Sequence, residues 1–66
     1  MQFVLNGETQ DMSSGTTIQD LVNMMEVGTR RYAVERNEEI VPRSLHAQTI
    51  VNDNDQIEVV VAIGGG

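Results

Sequence analysis

Two apolar, strand-forming segments stand near the ends of this chain, with one amphipathic, helix-length stretch between them. Met1-Gln2-Phe3-Val4-Leu5 places Met1, Phe3 and Leu5 on one face and Gln2 and Val4 on the other. Ile57-Glu58-Val59-Val60-Val61-Ala62-Ile63 places Ile57, Val59 and Val61 on one face and Glu58, Val60 and Ala62 on the other. Strands this apolar belong at the centre of a sheet. They are expected to lie there as a parallel pair, joined by everything between them. In 66 residues without cysteine the core must be built this way. A domain of this size buries only roughly 60% of its unfolded surface, and no disulfide or thiolate zinc site can supplement it.

The intervening segments fit that frame. Asn6-Gly7 suits the positive φ angles of a type I′ turn and predicts a hairpin. The return strand, residues 8–12, is weakly marked. A strict two-residue turn pairs Leu5 with Glu8 and Phe3 with Gln10, which puts polar residues on the core face, so a bulge or longer loop is the alternative. Thr17 reads as a helix N-cap, with Asp20 three residues on at capping-box spacing. Ile18, Leu21, Val22 and Met25 then form one apolar stripe, Met24 flanks it, and Gly28 marks the stop. Residues 32–36 are a third strand, Asn37-Glu38 a turn, and residues 39–41 a short strand ended by Pro42. Leu45, His46, Ala47 and Ile50 predict a helical turn packed under the sheet. Asn52-Asp53-Asn54-Asp55 is a tight turn in which Asn54 tolerates a left-handed backbone.

The expected fold is α+β: a mixed sheet with one main helix on one face, burying Phe3, Leu5, Val34, Val59 and Val61 against Ile18, Leu21, Val22 and Met25. One helix leaves the other face open, so Val4, Val60 and Ala62 should lie there as a partner-docking patch. Residues 1–63 form the domain, and Gly64, Gly65 and Gly66 form a slender tail. Such a tail is either a frayed end or an arm that carries a carboxylate into another protein's active site.

Chemistry within the chain is sparse. Ten acidic residues against four arginines, with no lysine, give a formal charge of −6. That argues against nucleic acid and anionic membranes and suits a basic protein partner. Arg30 and Arg31 read as a solvated pair or as contacts to an acidic patch. His46 has no serine or cysteine pattern to activate and is read as a packing residue. The acidic turn lacks the glycine and distant glutamate of a calcium loop, and one histidine makes no metal cluster. No apolar run reaches the roughly 20 residues of a membrane span. The default is a cytoplasmic protein.

These features together resemble the ThiS-type sulfur carriers of thiamine biosynthesis, which have the ubiquitin-like β-grasp fold. The resemblance covers nearly the whole chain. It rests on Met1-Gln2, Gly15-Thr16-Thr17-Ile18, Ile40-Val41-Pro42-Arg43-Ser44, Asp53-Asn54-Asp55-Gln56-Ile57-Glu58 and Gly65-Gly66. His46 departs from the aromatic, often Trp, that follows the Pro-Arg segment in the family, and Asn54 from the usual glycine between the aspartates. The resemblance implies a carrier, not an enzyme, with no cofactor or metal of its own. A partner E1-like adenylating enzyme would use ATP to activate the Gly66 carboxylate, with Gly64 and Gly65 threading the partner's channel. A persulfide sulfur donor would make the thiocarboxylate, and a thiazole synthase would consume it. The alternatives are a carrier for another pathway, such as the molybdopterin type, a ubiquitin-like protein tag, or a non-covalent β-grasp binding module.

Overall fold

The computed structural model describes residues 1–63. Its strands are β1 (Gln2–Leu5), β2 (Glu8–Asp11), β3 (Tyr32–Arg36), β4 (Glu39–Ile40) and β5 (Gln56–Val61), with helix α1 (Ile18–Met24) after β2. The sheet order is β2-β1-β5-β3-β4, the β-grasp arrangement. β5 is central and runs parallel to β1 and antiparallel to β3. Phe3, Leu5, Val34, Ile57 and Val59 meet Ile18, Leu21 and Val22 in one core. Met25 and Val61, expected inside it, are half-buried at its margin.

The first hairpin takes the strict register. Leu5 faces Glu8 and Phe3 faces Gln10, with Asn6 at φ 50° and Gly7 at φ 83°. No bulge is needed because β2 is an edge strand, which leaves Glu8 exposed and Gln10 half-buried. The second hairpin turns in the same left-handed way at Asn37 (φ 51°) and Glu38 (φ 70°).

Helix α1 begins as its sequence dictates. Thr17 accepts from the Asp20 N–H (3.1 Å), and the Asp20 carboxylate accepts from the Thr17 N–H (3.0 Å), closing the capping box. Thr17→Ala is expected to cost about 1 kcal/mol, read by denaturant unfolding. The helix stops sooner than Gly28 suggested: Met25 is the C-cap and Glu26 takes the left-handed φ of 55°. Arg30 then donates to two carbonyls past the helix end, from Nε to Val27 (3.0 Å) and from Nη2 to Glu26 (3.4 Å).

The segment after Pro42 reverses part of the expected pattern. Its 3-10 turn is Arg43–Leu45, but Leu45, Ala47 and Ile50 are exposed, while His46 is only 2% accessible and Val51 is in the core. A carbonyl only accepts, so the 2.9 Å contact between His46 Nε2 and the Val41 carbonyl oxygen places a proton on Nε2. The ring centroid lies 5.9 Å from that of Tyr32, whose face is covered by the Arg43 guanidinium at 4.4 Å. His46 thus packs as a buried ring against Tyr32.

Asp55, read from sequence only as a turn residue, is a buried acceptor. Its carboxylate takes Arg36 Nε (2.9 Å), Asn37 Nδ2 (3.1 Å) and the Asn52 N–H (2.8 Å). Beside it, Asp53 accepts from the Gln2 N–H (2.7 Å) and Asn54, at φ 71°, donates its own N–H to the Gln2 carbonyl (2.7 Å). The turn before β5 therefore ties the start of β1 to the end of β3.

Candidate functional site: the open sheet face and the exit of β5

The sheet face opposite α1 is set by strand alternation. On β5 it carries Gln56, Glu58 and Val60. Their register partners Val4 on β1, and Glu35 and Ala33 on β3, share that face. Val60 is 57% exposed, and Ala33 beside it and Ala62 beyond it are also exposed. These three form an apolar patch where the chain leaves the sheet, and Ile63 follows at 90% exposure.

Val4 is not part of that patch. It lies opposite Gln56, four residues back along β5, or roughly 13 Å at strand rise. It lines instead a shallow hollow of about 530 Å³ with Gly7, Glu35, Glu38, Gln56 and Glu58. Glu35 and Glu58 sit directly opposite one another, a like-charged cross-strand pair that disfavours the isolated sheet. No arginine lines the hollow. Sequence alternation found the open face but not this division into an apolar half and an acidic half. Ile40, opposite Glu35 and 63% exposed, also lies on this face and was missed, because its place follows from the β3–β4 register.

The exit of β5 is held by an asparagine. Asn6 Oδ1 accepts from the Val59 N–H (2.8 Å), and Asn6 Nδ2 donates to the Val59 carbonyl (3.4 Å). The Asn6 main-chain N–H donates to the Ile57 carbonyl (2.9 Å). The side-chain amide therefore acts as one more residue of β1, continuing the parallel pairing past the turn. Nothing in the sequence beyond the hairpin signal marked this role.

The tail positions Gly64, Gly65 and Gly66 lie outside the described residues. Among the described residues, no three His, Cys, Asp or Glu side chains are grouped as metal ligands. No helix there is long and apolar enough to cross a membrane.

The ThiS family model matches residues 3–66. The chain belongs to the ThiS family. Among ThiS relatives, the sulfur carrier protein ThiS of Escherichia coli is 35% identical over 66 residues, covering the whole of both chains. A protein named thiazole synthase from Paramagnetospirillum magneticum is 48% identical over 66 residues. That match takes in all of this chain but only 20% of the relative, so the chain spans about a fifth of the length of that synthase. The crystal structure of a thiamine biosynthesis protein, ThiS, from Geobacter metallireducens superposes with a TM-score of 0.76 at 27% identity, covering both chains completely. The ThiS fold therefore extends over the described residues, including the β5 exit.

Proposed function

We propose that this chain is a sulfur carrier of thiamine biosynthesis, acting in the cytoplasm as a co-substrate and carrying its sulfur on the carboxylate of Gly66. The end-to-end similarity to the sulfur carrier of Escherichia coli is the observation that carries this reading. The 48% identity to a protein named thiazole synthase supports thiamine over another sulfur pathway and supports a thiazole synthase as the consumer of the sulfur.

A carboxylate is a poor acyl donor because its oxygen is a poor leaving group. An E1-like partner, which binds the ATP, transfers AMP to the Gly66 carboxylate and releases pyrophosphate. The terminal sulfur of a persulfide then attacks the acyl carbon, and AMP departs with its electron pair. The acyl disulfide so formed is cleaved by a second thiol, leaving the thiocarboxylate and an oxidised disulfide. With no cysteine, this chain has no side-chain thiol on which to hold sulfur. Its own contribution is to present the tail. The core and the Asn6 and Asp55 contacts fix β5, and Gly64 and Gly65 are thin enough to thread a narrow channel.

The test is intact mass spectrometry of the chain before and after incubation with its adenylating enzyme, ATP and a persulfide source. A gain matching exchange of one oxygen for sulfur, mapped to Gly66, is expected. Adenylation without sulfur would instead indicate a ubiquitin-like tag, and no modification beside an active control would leave a binding module.

Docking of that enzyme is assigned to the open face, with Val60 and Ala62 at its apolar half and Val4 in the acidic hollow. Val60→Asp should weaken binding about tenfold or more and change stability by less than about 0.5 kcal/mol, since Val60 is mostly exposed. Titration calorimetry paired with thermal melting separates the two effects. A large stability loss with unchanged binding would place the docking surface elsewhere.

A further inference from the structure

We propose that the outer edge of β5 at Val61 is a strand-addition site, which pairs with an extended segment of the adenylating partner. This rests on the carrier reading for the partner's identity, but the edge itself is a feature of the fold. In the β3–β5 ladder, Asn37 N–H donates to Gln56 and Ala62 N–H to Arg31, so the even-numbered residues of β5 turn their main-chain groups toward β3. Ile57, Val59 and Val61 therefore turn theirs toward β1. Ile57 is met by the Asn6 main chain and Val59 by the Asn6 side chain. There the first hairpin ends, because the chain reverses at Gly7. The β1–β5 register ends at Leu5 and Ile57, so among the described residues the outward N–H and C=O of Val61 lie beyond the reach of β1 and have no partner.

An unpaired donor and acceptor on a central strand form a template for another strand. The neighbouring surface specifies the occupant. On the open face, a strand laid beside Val61 meets Val60 and Ala62, which calls for apolar residues at alternate positions. The hollow holding Glu35, Glu38 and Glu58 lies next along the same face and calls for an arginine or lysine. The occupant is thus an extended, alternately apolar segment with a basic residue on the same face.

The test uses the whole chain and the adenylating enzyme. Val61→Pro removes the outward N–H while sparing the ladder to β3, because Val61 belongs to a non-hydrogen-bonded pair in that ladder. Val61→Ala keeps the N–H and trims the side chain. Val61→Pro is expected to bind the enzyme about tenfold or more weakly than Val61→Ala, as a strand partner left unpaired would be. In the wild-type chain, amide exchange at Val61, followed by nuclear magnetic resonance, should slow on adding the enzyme. That reading does not depend on whether the proline variant folds.

Equal binding by the two variants overturns the proposal, as does unchanged exchange at Val61 in the bound complex. Protection that grows with the concentration of the chain alone, and not with enzyme, assigns the edge to a second copy and also overturns it. Sulfur loading at Gly66 with Val61 unprotected defeats strand addition but not the carrier reading. Protection at Val61 without any modification of Gly66 does the reverse.

Discussion

Deletion of Gly66 is expected to lower adenylation and sulfur loading by more than about a hundredfold while changing stability by less than about 0.5 kcal/mol. The shortened chain still ends in a carboxylate, now that of Gly65, so the chemistry of the acyl group is unaltered. What changes is reach. One residue of extended chain spans about 3.3–3.6 Å, and a misplacement of about 1 Å can cost a hundredfold in rate. Adding one residue after Gly66 displaces the carboxylate by the same distance in the other direction and should be equally damaging. Stability should hold because, among the described residues, the buried hydrophobic side chains all lie between Phe3 and Val59. Intact mass after reaction and thermal melting of both variants check the two halves. Loading of the Gly65-ended chain within tenfold of the full chain would remove Gly66 from the mechanism.

The largest loss of stability from a polar substitution is expected at Asp55. Asp55→Ala strips three donors of their acceptor, including the partly buried Arg36 guanidinium, whose Nε lies 2.9 Å from the carboxylate. Removing one member of a buried ion pair costs about 3–5 kcal/mol, and the lower figure applies because Arg36 keeps some contact with water. A chain of this length has only about 3–10 kcal/mol in total. At about 4–8 °C per kcal/mol, the melting temperature should fall by roughly 12–24 °C. Asp53→Ala, which removes one exposed contact to the Gln2 N–H, is the comparison and should cost about 1 kcal/mol. Circular dichroism melts decide the matter. Similar losses in the two variants would mean that the Arg36–Asp55 pair adds nothing beyond an ordinary turn contact.

The contrast between these aspartates shows what the sequence made legible. Helix α1 could be read because its stripe repeats at helical spacing and its cap lies within four residues. The parallel pairing of β1 with β5 could be read because two apolar runs in so short a chain must share the sheet centre. Asp55 could not, since its donors Arg36 and Asn37 are 19 and 18 residues away and no periodicity links them. Val27 and Val51 were missed for a related reason: each is a single valine in an irregular segment, buried by tertiary packing alone. Leu45 and Ile50 show the converse, where apolar composition suggested burial and the turn geometry turned them outward. At the site, alternation identified the open face and placed Val60 and Ala62 on it together. It could not separate Val4 from them, because that depends on a register of only two residue pairs between β1 and β5.

The position of β5 also determines how the domain responds to tension. A force applied at Ile63 and directed along the strand is opposed on one side by the β3 ladder and on the other by β1 and the Asn6 amide. The ladder bonds run across the strand, perpendicular or slanted to that pull. They are therefore sheared together rather than peeled one at a time. On the proposed carrier reading, a partner drawing the chain onward from Ile63 would pull against a strand held on both sides, so the load would be shared across both neighbours rather than borne by one bond at a time.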